Sequence, residues 1–301
     1  MAIAENRAFI PEIKSMPAWK KVVKVTGWEL KYHVANQTSW VLYAAAFCSF
    51  IGILSVRNQW GYLLGTTALG QLAELVYDLM LIFGVMLPFL VTDMIAHDYQ
   101  QRMHELLMST SIPTRVYVFG RYLAAVLVSL GLAISLLVSQ LLINFVLPLL
   151  DNQFPTANPA ATLSFWIRLT LPTAILVCSL CFCLGTLFPR LTALPKLAAC
   201  IAWIILALDN DPTDLTWRAY WNPTGAGMIT LLYEEFQELV QKGLPAILGS
   251  VQQAEFIQRI QQFMPDLRPW AGPFLALAGI GMLLGFLTVI SFNRFRNCLN
   301  G

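Results

Sequence analysis

Charge is scarce in this chain: 12% of its 301 residues are charged and 57% are hydrophobic, against roughly 25% charged in an ordinary soluble domain. That balance excludes a water-soluble globule, because too little polar surface is present to cover it. The chain also lacks any G-x-x-x-x-G-K-[ST] string, the loop whose backbone amides cradle nucleotide phosphates. ATP hydrolysis by this chain alone is therefore not expected. The first 38 residues carry Lys14, Lys20, Lys21, Lys24 and Lys31 and no unbroken apolar stretch of signal-peptide length, so no cleavable leader is expected and the N-terminus is assigned to the cytoplasm. Of the six cysteines, Cys48, Cys178, Cys181, Cys183 and Cys200 fall inside apolar runs, which is not the spacing of a secreted disulfide framework.

What is abundant is apolar sequence in runs long enough to cross a hydrocarbon core, which takes roughly 20 helical residues. Six spans are predicted: Trp40 to Val56, Leu75 to Thr92, Tyr122 to Leu147, Leu169 to Phe188, Leu197 to Leu208, and Trp270 to Phe292. The fifth is short and reaches spanning length only if Lys196 snorkels its ammonium to the interface. Ahead of them, Pro11 to Val34 interleaves lysines with Trp19, Val22, Val23, Val25, Trp28 and Leu30, the composition of an amphipathic helix on a membrane surface. The fold class is thus all-α and integral to the membrane. An N-terminal amphipathic surface helix occupies residues 1–38, and a six-span domain occupies 39–301 with a polar segment at 93–121 and an outer insertion at 209–269.

Charge orients these spans, because loops on the cytoplasmic side carry the Lys and Arg excess. Six spans with both termini inside place most of the 19 basic residues in the cytoplasm, while the insertion holds Asp209, Asp211, Asp214, Glu234, Glu235, Glu238, Glu255 and Asp266. Removing the fifth span would put Arg294 and Arg296 outside, so charge argues for keeping it.

The segment from Asp93 to Ala124 is the most informative. Arg102, Glu105 and Ser109 recur at helical spacing, as do Met103, Leu106 and Leu107, so a short helix there offers one face for docking and one for packing. Pro113 fits the start of the next helix, where a missing N–H costs little. The plainer reading is a solvated loop between spans. With Glu105-Leu106-Leu107, then Ser109, Thr110, Pro113 and Arg115, then Gly120-Arg121, the segment resembles the cytoplasmic segment of type-2 ABC exporter permeases. It departs from them where Ser111 and Ile112 separate Thr110 from Pro113. Asn222-Pro223-Thr224-Gly225 is similar to a turn found in the outer insertion of the same family.

The resemblance implies a permease that pairs with a second copy or a similar permease, each seated on a cytoplasmic ABC ATPase subunit. It also implies ATPase coupling through Asp98, Arg102, Glu105, Leu106, Pro113, Arg115 and Arg121. ATP and Mg²⁺ are expected in the ATPase and no cofactor in this chain. Membrane lipids are the remaining expected partner, nucleic acid is not one, and a bacterial inner membrane is the expected site.

Other residues bear weighing. Asp78 and Arg168 stand at similar depth in the outer parts of two spans, either as a buried ion pair or as groups that each reach interfacial water. Asp209, Asp211 and Asp214 lack the remaining ligands of a calcium loop. Cys178-x-x-Cys181 with Cys183 lies mid-span, where small polarizable side chains also pack. No metal site is expected. A membrane-embedded enzyme would need convergent ionisable groups at one depth, and only Asp93, His97 and Asp98 cluster so. An ATP-independent transporter or channel would favour broken helices and midplane charges, and neither is evident.

Overall fold

The computed structural model describes residues 16–58, 84–92, 94, 112–150, 159–188, 191, 193–208, 220–225, 238 and 268–292. Among these every regular element is helical and no strand occurs. In chain order the helices are α1 (Ala18–Ala35), α2 (Gln37–Asn58), α3 (Thr114–Leu150), α4 (Pro159–Phe165), a π-helical turn (Trp166–Thr170), α5 (Leu171–Leu187), α6 (Ala193–Leu208) and α7 (Arg268–Ser291). Residues 84–91 form a further helical stretch between α2 and α3.

Three helices are long and apolar enough to cross a membrane: Thr114–Leu142, Thr162–Leu187 and Trp270–Ser291. Ala193–Leu206 is a shorter apolar helix. Each begins before the apolar run does. α3 starts at Thr114 rather than Tyr122, because the Pro113 carbonyl accepts the Tyr117 N–H at 3.1 Å and opens the helix there. α4 starts at Pro159, a residue preorganised for a first helical position, and Arg168 follows in the π-helical turn on an exposed face. α6 likewise takes in Lys196, whose ammonium sits 5.6 Å from the centroid of the Phe89 ring, so the cation is accommodated by an aromatic face.

The core lies where α3, α5 and α7 meet, filled by Leu132, Leu136, Phe165, Leu169, Phe182 and Phe274, each essentially sealed from solvent. α5 packs most extensively on α7. A side chain at Gly281 would stand 2.8 Å from the Leu176 Cα, the close backbone approach that small residues permit between membrane helices. Between α3 and α5 the Tyr122 hydroxyl meets the Ser179 hydroxyl at 2.9 Å, and the Trp166 indole N–H donates to the Ala133 carbonyl at 3.1 Å. Residues 84–92 and 94 join this core through Leu87, Leu90, Val91 and Met94.

The 220–225 segment ties three helices together. Asn222 Oδ1 accepts from the Thr224 N–H at 2.9 Å, while Asn222 Nδ2 donates to the Leu206 carbonyl of α6 at 3.2 Å. Thr173 of α5 donates to the Pro223 carbonyl at 3.3 Å, and Tyr220 stacks on Trp270 of α7 at 4.5 Å. Gly225, at φ 70°, takes the left-handed conformation that closes the turn without a Cβ penalty.

Candidate functional site at the base of α3

The polar chemistry of the described residues gathers where α1 crosses the first two turns of α3. α1 turns Val25, Thr26 and Glu29 inward. Val25 packs with Ile112, Val116 and Tyr117. The hydroxyl of Thr26 donates to the Gly120 carbonyl at 3.0 Å, which requires the two backbones to come close. Gly120 allows it: a Cβ there would lie 2.8 Å from both Val25 Cβ and Cγ1 and 3.2 Å from the Val22 carbonyl oxygen.

One turn along, Glu29 Oε2 faces Arg121 Nη2 at 3.4 Å, with about a tenth of each side chain exposed (10% and 12%). Burying either charge alone would cost several kcal/mol, so each depends on the other. Arg121 also lies over the Tyr117 ring at 5.0 Å. His33, one turn beyond Glu29, places Nε2 4.0 Å from Glu29 Oε1 and Nδ1 3.3 Å from the Ser39 hydroxyl. Burial, and secondarily the Arg121 guanidinium, push the His33 pKa down to about 4, so the imidazole is neutral at physiological pH.

Of the residues singled out from sequence, Arg121 belongs to this cluster. Pro113 opens α3, and both it and Arg115 are exposed. Arg168 sits in the π-helical turn on an exposed face, and a rise of 1.5 Å per residue puts it about 28 Å above Leu187. Asp98, Arg102, Glu105, Leu106 and Asp78 lie outside the described residues. Sequence reading missed Thr26, Glu29 and His33. Their signal was present: Glu29 is the sole carboxylate in a helix with four lysines, and the three polar positions recur at i, i+3 and i+7.

The cluster holds no group poised as a nucleophile. It is a clamp, joining the amphipathic α1 to the first turns of α3 by a hydrogen bond, an ion pair and a glycine contact. Comparison of the chain with protein-family models, with curated proteins and with solved structures yields no match. The fold and site define an all-helical chain with helices of membrane-crossing length and a clamped amphipathic helix at one end.

Proposed function

We propose that this chain is the transmembrane permease subunit of an ATP-driven ABC exporter. Two such permeases form the substrate path between them, and each is driven by a separate cytoplasmic ATPase subunit that supplies ATP and Mg²⁺. The chain spans the membrane six times with both termini in the cytoplasm of a bacterial cell.

One observation carries this reading beyond the resemblance of residues 93–124. The segment that would receive the ATPase leaves and re-enters the bundle at two firm points. At Thr92 the backbone presses on Gly185 of α5, where a Cβ would stand 2.5 Å from the Thr92 carbonyl oxygen. At Ile112 the chain is buried against Val25 of α1. A segment anchored at one end on α5 and at the other on α1 can pass a displacement to both. In this role Asp98, Arg102, Glu105, Leu106, Pro113 and Arg115 couple the chain to the ATPase, with Arg102 and Glu105 as its contacts, and Arg121 holds α1 through Glu29.

The test is mild detergent extraction of tagged chain from its native membrane, followed by identification of stoichiometric partners and an ATPase assay. An ATP-hydrolysing subunit is expected to co-purify and to be lost from Glu105→Arg. A chain that purifies with no nucleotide-hydrolysing partner overturns the proposal in favour of a channel or a membrane-embedded enzyme.

A further inference from the structure

We propose that α1 is a docking surface for anionic phospholipid headgroups of the leaflet on its side of the membrane. The inference rests on the chain being membrane-spanning and not on its having an ATPase partner.

The helix has four faces, one of them made of Trp28, Lys21 and Tyr32. At about 100° per residue, Val22, Val25, Thr26, Glu29 and His33 share the face turned to α3. Beside them lies an apolar arc of Trp19, Val23, Leu30 and Val34, of which Trp19, Val23 and Val34 are 58 to 64% exposed. Beyond that arc come Lys20, Lys24 and Lys31, with Lys20 and Lys31 exposed. A helix serving only as a strut between bundle and water has no use for exposed tryptophan and valine. An apolar arc bordered by ammonium groups suits the boundary between acyl chains and phosphates.

Depth agrees. Along α3 the large side chains facing outward run from Leu127 to Leu149, about 33 Å of helix, which matches the roughly 30 Å hydrocarbon core. Gly120, where α1 crosses, stands about 10 Å before Leu127 on the same rise, at headgroup level. The two arcs of α1 therefore meet lipid at the layer their chemistry fits.

Charge selects the lipid. The sole carboxylate of α1, Glu29, is turned to Arg121, so every charge on the outward side of the helix is basic. Lysines at a membrane surface favour anionic over zwitterionic headgroups by about five-fold each.

The experiment places a bimane probe at Val23→Cys, in chain whose six native cysteines are replaced. This chain is reconstituted in vesicles of phosphatidylcholine with a minority of phosphatidylglycerol. A quencher is carried on the chains of one lipid or the other. Quenching through phosphatidylglycerol is expected to exceed its mole fraction about five-fold or more, to fall at least about five-fold toward it in Lys20→Gln/Lys31→Gln, to reach it at high salt, and to persist in Lys20→Arg/Lys31→Arg. The difference in quenched tryptophan emission between native-cysteine chain and Trp19→Phe gives a second readout if cysteine replacement disturbs folding. Equal quenching by both lipids overturns the proposal, leaving apolar insertion only. Absence of quenching by either also overturns it and assigns the face to water or a protein partner.

Discussion

Replacing Gly120 by alanine sets a methyl group where Val25 already stands. The new carbon would lie 2.8 Å from Val25 Cβ and Cγ1 and 3.2 Å from the Val22 carbonyl oxygen, whereas carbon atoms rest at about 3.5–4.0 Å. Two of those three neighbours are Cβ and backbone atoms, which move only with the helix, so α1 must retreat by roughly 0.7–1 Å. That retreat lengthens the Thr26–Gly120 hydrogen bond, now 3.0 Å, past its useful range. The overpacking costs about 1–3 kcal/mol and the lost bond about 1 kcal/mol, so docking of α1 is expected to weaken by at least about 2 kcal/mol. Local opening then rises about 30-fold or more. Amide hydrogen exchange of residues 18–35 in detergent or nanodiscs reads this directly. Gly120→Ala should accelerate exchange in α1 and leave α7 unchanged, and adding Val25→Gly, which removes both crowded carbons, should return it to within a few-fold of the Val25→Gly chain. Unchanged exchange in Gly120→Ala, or failure of the second substitution to compensate, would refute the close-contact argument.

Acidification tests His33. Its folded pKa is about 4 against an ordinary 6.5, so between those values the unfolded chain binds the proton and the folded chain does not. Stability is therefore intact above about pH 6.5 and declines as pH falls toward 4, by up to about 3 kcal/mol. Thermal unfolding followed against pH should show this slope, and His33→Gln should flatten it. Glu29→Gln leaves the buried Arg121 charge without its carboxylate and is expected to destabilise by about 3 kcal/mol, measured as a lowered midpoint and faster exchange in α1. Glu29→Gln combined with Arg121→Met should recover part of that loss. At the other end, Asn222→Ala removes the Thr224 and Leu206 contacts and is expected to cost about 1–2 kcal/mol, read as faster exchange at 220–225 with α1 unaffected.

The all-helical architecture and the positions of the long apolar helices were legible in the sequence, because the hydrophobic runs around Tyr122, Leu169 and Trp270 are continuous. Helix starts were not legible. Pro113, Pro159 and Ala193 each begin a helix outside the apolar run, and what allows it is local: a carbonyl free to accept a first hydrogen bond, a pyrrolidine ring at the first turn, an aromatic face for Lys196. The π-helical turn was equally hidden, since Trp166-Ile-Arg-Leu-Thr170 has an ordinary helical composition and its extra residue is held by the Trp166 bond to Ala133 on another helix. The amphipathic N-terminal helix was read correctly as a helix. Which face turns inward was not legible, because the mixture of lysines, tryptophans and valines marks a membrane surface and names no bundle side. The chain turns Val25, Thr26, Glu29 and His33 toward α3, where the Gly120 carbonyl receives Thr26 and the Arg121 guanidinium receives Glu29.

The contact between Thr92 and Gly185 has a mechanical meaning. Side chains are compliant: they change rotamer, and a push delivered through them is absorbed. Here the carbonyl of one helical stretch bears on the bare Cα of another, with no rotatable bond between them, so the joint is as stiff as the two backbones. Residues 84–92 and α5 consequently move as one body over small displacements, and α7 follows through the equally bare contact of Gly281 with Leu176. Motion entering at the end of residue 92 is passed across the bundle with little slack, and adding a single methyl group at Gly185 would alter the geometry of that joint.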